Sequence, residues 1–133
     1  MARRLILDTG ALIAFERGRG DPTVVADEDD LAVAALTVAE LRVGIELADR
    51  QDRASARRRV LAAITATARV LPYTERTAVE HARLLAHVRR TGAPRGAHDL
   101  IIAAQAAEHG RVVVTPDRRA RFDELPGIRT LAM

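Results

Sequence analysis

The feature that most constrains this chain is a recurring alternation. Short apolar runs are separated by segments of helical length: Leu5-Ile6-Leu7, Leu31-Ala32-Val33-Ala34-Ala35, Val70-Leu71 and Val112-Val113-Val114. Each run is too short for a buried helix and suits a strand covered on both faces. Between them lie stretches with apolar residues at helical spacing, as in Leu41, Ile45 and Ala48, or Val79, Leu84, Leu85 and Val88. Strands alternating with helices predict an α/β fold, a three-layer sandwich around a mainly parallel central sheet of four to five strands. Ile128 to Leu131 is the candidate fifth, edge strand. A chain of 133 residues with no internal repeat and no linker predicts one domain over residues 1–133.

Local signals place the helix ends. Asp8-Thr9-Gly10 reads as the turn from the first strand into a helix carrying Leu12, Ile13 and Phe15. Asp21-Pro22 has the form of an N-cap followed by a first helical proline. Thr37-Val38-Ala39-Glu40 has capping-box spacing. The polar stretch from Asp49 to Arg59 lacks Pro and Gly, which predicts two helices with a short break and an exposed basic face. Thr74 caps a helix over Glu75–Arg90. Thr91-Gly92-Ala93-Pro94-Arg95-Gly96 is a loop. Asp99 opens an apolar helix that Gly110 ends, and a short helix follows Asp117.

Composition removes several chemistries. Cysteine is absent, so disulfides and thiolate zinc sites are excluded. All 21 basic residues are arginine, which excludes a Walker loop or a Schiff-base lysine. No apolar run approaches the roughly 20 residues of a membrane span, and no signal peptide is visible, so a cytoplasmic protein is expected. The formal net charge is +3. Gathering four acids in one site leaves 14 of the 18 acids against 21 arginines, a balance of +7. A basic surface around an acidic pocket suits a polyanion.

Four acids share one context. Asp8 and Asp117 follow strands, Glu40 follows one by a helical turn, and Asp99 begins a buried helix. In a parallel sheet the strand ends point the same way, so Asp8, Glu40 and Asp117 should emerge at one edge. Asp99 joins them if its helix starts there. Each acid alone reads as a helix cap. Together, four converging carboxylates repel one another unless a cation neutralises them, and hard oxygen ligands select Mg²⁺ or Mn²⁺ over zinc. His81, His87, His98 and His109 form no competing ligand pair, and His98, one position from Asp99, should point elsewhere. Glu16 and Glu46 read as helix-surface acids outside the site.

Ile6-Leu7-Asp8-Thr9-Gly10, Thr37-Val38-Ala39-Glu40-Leu41, His98-Asp99-Leu100-Ile101-Ile102-Ala103-Ala104 and Val114-Thr115-Pro116-Asp117 together resemble the four motifs of PIN-domain ribonucleases. Order, spacing and length resemble the VapC toxins of type II toxin–antitoxin pairs. The resemblance covers essentially the whole chain and implies one PIN domain. It also implies that Asp8, Glu40, Asp99 and Asp117 bind Mg²⁺ or Mn²⁺ and that Thr115, with Thr9, supports the site. One departure is visible: many relatives carry a further acid two residues after the last aspartate, where this chain has Arg119.

The implied reaction is hydrolysis of an RNA phosphodiester, with Arg95, Arg118 and Arg119 as candidate RNA or antitoxin contacts. Scarce aromatics, 2% of the chain, point to recognition of RNA shape rather than base stacking. The resemblance further implies a tRNA or rRNA target, a homodimer, and a cognate antitoxin for which the helices from Thr37 to Thr67 are the candidate surface. Asp8 is expected to face the cation while Thr9 or the turn backbone starts the helix. An inactive PIN-like binding module and a metal-dependent DNA nuclease are the alternatives. An aspartic protease would be all-β. A dehalogenase-like phosphatase would need an acid where Gly10 stands, and a receiver domain needs a lysine.

Overall fold

The structure is a computed structural model that describes residues 2–19, 21–116 and 121–133. Five strands form one sheet: β1 (Arg4–Leu7), β2 (Asp30–Ala34), β3 (Arg69–Leu71), β4 (Val112–Thr115) and β5 (Thr130–Ala132). Their spatial order is β3-β2-β1-β4-β5, and every neighbouring pair is parallel. The helices are α1 (Thr9–Glu16), α2 (Ala35–Glu46), α3 (Gln51–Thr67), α4 (Glu75–Thr91) and α5 (Ala97–His109). The expected α/β sandwich with a parallel sheet is therefore the observed one, and the candidate fifth strand forms slightly later, at Thr130–Ala132.

Alternation along the strands explains the layers. Leu5 and Leu7 of β1 face one side and Ile6 the other, as successive side chains of a strand must. Ile6, Ala32, Ala34 and Val113 pack under α4 and α5, against Leu84, Val88, Leu100 and Ile102. Leu5, Leu7, Val33 and Val114 pack against Ala11 and Leu12 of α1, with Ile64 of α3 alongside. A third small cluster of Ile45, Ala54 and Leu61 closes the α2–α3 hairpin. Burying such a Leu or Ile contributes roughly 1.5–3 kcal/mol each, so the sheet is held by aliphatic packing on both faces. Among the described residues no helix is long and apolar enough to cross a membrane.

The chain order creates one special place. The connections β1 to β2 to β3 run outward on one side of β1, and β4 and β5 then build on the other. The reversal lies between β1 and β4, where open parallel sheets leave a crevice outside the strand carboxyl ends. The opposite, amino edge is closed by Arg111. Its guanidinium is buried and donates to the Leu5 carbonyl at 3.1 Å and to the Asp30 carbonyl and carboxylate at 3.0 Å each. This contact holds the Asp30 carboxyl below its ordinary range.

Several local expectations were overridden. The Asp21-Pro22 signal yields a single 3-10 turn, Pro22–Val24, with Asp21 accepting from the Thr23 backbone and hydroxyl. The short helix expected after Asp117 begins outside the described residues; within them a 3-10 turn forms at Phe122–Glu124. Val79 is not a core position: it is 67% exposed, while Leu84 and Val88 carry the buried face of α4. The Thr37–Glu40 capping box does not form. Strand β2 runs directly into α2, whose N-cap is Ala34 without a side-chain bond, so Thr37 and Glu40 already lie inside the helix. The α4 start is as expected, with Thr74 capping and Thr77 answering. Gly92 and Gly110 end α4 and α5 at φ of +66° and +62°, a conformation that costs glycine nothing.

Candidate functional site

Asp8 directly follows β1 and is 4% exposed. It is the N-cap of α1: its Oδ1 accepts the Ala11 backbone N–H at 2.7 Å. Its Oδ2 accepts the Thr115 hydroxyl at 2.5 Å. Thr115 ends β4, so this bond spans the crevice where the strand order reverses. The expectation that Thr9 or the backbone would start the helix is corrected, because Asp8 itself does so. Capping and orientation of the carboxylate are one arrangement here, with one oxygen on the start of α1 and the other on the end of β4.

Thr9 serves the neighbouring acid. Its hydroxyl donates to Glu40 Oε1 at 2.9 Å and lies 3.3 Å from the Thr37 hydroxyl. Thr37 is fully buried, so α2 presents Glu40 from a fixed anchor one turn earlier. The other carboxylate oxygen, Glu40 Oε2, lies 3.1 Å from His98 Nδ1. Glu40 is thus held at both oxygens, from α1 and from α5. Reasoning from spacing expected His98 to point away from the site. Its Nδ1 instead meets Glu40, on another helix, which no local pattern could signal.

Asp99 stands in the first turn of α5, where an acid interacts favourably with the helix N-terminus. The helix begins at Ala97 with Gly96 as N-cap, two residues before Asp99. A Cβ at Gly96 would sit 3.1 Å from Asp99 Oδ2, so the absence of a side chain there gives the carboxylate its room. Asp117, Arg118 and Arg119 lie outside the described residues.

Arg95 is not where a substrate contact was expected. Its side chain is 5% exposed, its Nη2 lies 3.1 Å from Glu124 Oε2, and its Nη1 donates to the Ala93 carbonyl. It fastens the loop before α5 to the Phe122–Glu124 turn. Glu16 is exposed on α1, as expected of a helix-surface acid, and it also lines a cavity of about 290 Å³ together with Thr9, Glu40, Arg17 and Arg57.

Asp8, Glu40 and Asp99 are thus presented by the end of β1, the second turn of α2 and the first turn of α5. They offer only hard oxygen donors, the kind that suits Mg²⁺ or Mn²⁺. Among the described residues no three Asp, Glu, His or Cys side chains stand close enough to hold a metal ion. The four-acid set includes Asp117, which lies outside them.

Comparison with known proteins adds to this geometry. The family model of the PIN domain matches residues 5–128. Ribonuclease VapC5 of Mycobacterium tuberculosis is 36% identical over 113 residues, 84% of this chain and 82% of that protein. The tRNA(fMet)-specific endonuclease VapC of Salmonella typhimurium is 32% identical over 99 residues, 74% of this chain and 72% of that protein. The crystal structure of VapBC-5 from Mycobacterium tuberculosis, a member of the VapBC family of toxin–antitoxin systems, matches with a TM-score of 0.80 at 28% identity, covering 98% of this chain and 97% of that one. The FitAcB structure from Neisseria gonorrhoeae matches at 0.76 and 27% identity, covering 96% of each chain.

Proposed function

The chain belongs to the PIN-domain family, among the VapC toxins, and from that premise we propose that it is a metal-dependent endoribonuclease acting as the toxin of a toxin–antitoxin pair. The proposed substrate is a structured RNA, a tRNA or rRNA, cut at the acidic edge. The proposed partners are a cognate antitoxin and a second copy of the chain. The observation that carries the reading is the bond between Thr115 and the buried Asp8 across the strand-order reversal, with Glu40 fixed beside it by Thr9.

Asp8, Glu40, Asp99 and Asp117 would hold Mg²⁺ or Mn²⁺. What such an ion supplies is acidity for a water molecule and neutralisation of phosphate charge. The chain's own contribution is preorganisation. Asp8 is locked by a backbone N–H and a hydroxyl, and Glu40 by a hydroxyl and an imidazole, so neither carboxylate has to be ordered when substrate arrives. In hydrolysis the water oxygen forms a bond to phosphorus and the bond to the 3′ oxygen breaks. The departing 3′ oxygen takes up one proton of the water, and the other passes to the medium as the new phosphate monoester ionises. The products are a 5′-phosphate and a 3′-hydroxyl, and the 2′-hydroxyl is not the nucleophile.

The test is cleavage of RNA with Mg²⁺ by purified wild type, Asp8→Asn and Asp99→Asn. Asparagine caps as well as aspartate, so Asp8→Asn should stay folded. Loss of cleavage in both variants is expected, and retained cleavage in a folded variant would sink the assignment.

A further inference from the structure

RNA is a polyanion, and a site built from carboxylates repels it unless cations flank the acids. Among the described candidates Arg95 is engaged by Glu124, and a second source of flanking charge lies on the other side of Glu40. The cavity that contains Glu40 and Thr9 provides it. From that acidic end it extends along the face of α1 to Arg17, eight positions beyond Thr9, a rise of roughly 12 Å. Its far wall is α3, which contributes Arg57 and apolar Val60 and Leu61.

Arg57 is placed rather than merely exposed. Its Nη1 donates to the Gly44 carbonyl at 2.6 Å, in the last turn of α2 where carbonyls lack helical partners. That is its one hydrogen bond among the described residues. It anchors the guanidinium at the cavity wall and leaves the other donors of the fork for an anion. Arg17 is exposed and makes no side-chain hydrogen bond or ion pair among the described residues. Glu16, also exposed, is the one acid at this end of the cavity.

We propose that Arg17 and Arg57 form a phosphate subsite that holds the RNA backbone a few nucleotides from the acidic edge. The inference rests on the ribonuclease reading above. The mixed lining, acid at one end and arginine at the other, matches a strand whose backbone is gripped at one point and cut at another. The cavity walls of Ile13, Leu41, Val60 and Leu61 add no base-specific donors, so the subsite would hold RNA of any sequence.

The experiment is a titration of the full chain with a fluorescein-labelled RNA hairpin in EDTA, at a series of KCl concentrations. Each arginine lost from a phosphate contact should lower the slope of log K against log salt by about 0.7 and weaken binding about fivefold at about 0.1 M salt. Arg17→Gln and Arg57→Gln should each show this, and Arg57→Lys should restore the slope by keeping the charge. Arg4→Gln, at the amino end of β1 on the opposite edge, should leave it unchanged. Wild-type slopes in Arg17→Gln and Arg57→Gln overturn the subsite, as does an equal loss in Arg4→Gln. If Arg57→Gln melts early, the exposed Arg17 decides alone. Absence of both RNA binding in EDTA and RNA cleavage in Mg²⁺ by the wild type would defeat the ribonuclease reading itself, a result distinct from binding with an unaltered slope.

Discussion

Replacing Thr115 by valine removes a hydroxyl and keeps the shape. Thr115 is 8% exposed, and its hydroxyl donates to the buried carboxylate of Asp8. A hydrogen bond to a charged group is worth about 1.5–3 kcal/mol, and Val leaves Asp8 with one buried oxygen less well satisfied. The fold should lose about that amount, a fall in Tm of roughly 5–12 °C for a chain of this size. Thr115→Ser keeps the donor and loses one methyl, costing about 0.8 kcal/mol. The second readout is cleavage. A carboxylate whose orienting partner is removed should cost about 10–100-fold in activity or metal affinity, and serine should recover most of it. Thermal melts and RNA cleavage measured on all three proteins decide the matter. Thr115→Val melting with the wild type and cleaving at its rate would refute the claim that the Thr115 hydroxyl fixes Asp8.

Two further outcomes follow from the described contacts. His98→Ala should free one oxygen of Glu40 and reduce cleavage about 10–100-fold without lowering Tm, whereas His98→Asn, which keeps an N–H donor, should recover part of the rate; equal rates in both variants would show that His98 does not orient Glu40. The Asp29 carboxyl is held down to about 2, first by its bond to the Arg3 guanidinium and next by the Ala26 backbone N–H. Because the folded value lies below the ordinary value of about 3.9, its stabilisation is complete above pH about 4 and is lost as pH falls toward about 2. Urea midpoints should therefore separate wild type from Asp29→Asn at neutral pH and converge in acid; a constant gap across that range would contradict the assignment.

The sheet was readable because its signal is local. Leu5 to Leu7 and Val112 to Val114 are runs that only a doubly covered strand accommodates, and their parallel pairing follows from the helices between them. The placement of Asp8 beside Glu40, joined through α1 and Thr9, was readable for the same reason, since a parallel sheet sends its strand ends to one edge. What escaped the sequence is what depends on distant partners. Thr37 and Glu40 have capping-box spacing, yet Thr9, 28 and 31 residues away, engages both side chains. Arg95 looks like free charge until Glu124, 29 residues later, covers it. His98 was judged against its chain neighbour Asp99, while its partner lies on another helix.

The bond between Asp8 and Thr115 also carries a consequence for synthesis. Its partners stand 107 residues apart, nearly the full length of the chain. The central strand β1 leaves the ribosome well before β4, the strand that completes its other side. Contacts of such long sequence separation form late, because loop closure has to precede them. During translation Asp8 therefore lacks its hydroxyl partner until β4 has emerged, so an unfinished chain exposes neither a closed sheet nor an ordered acidic edge. In a ribonuclease family, this order of assembly postpones an ordered acidic edge until β4 has been made.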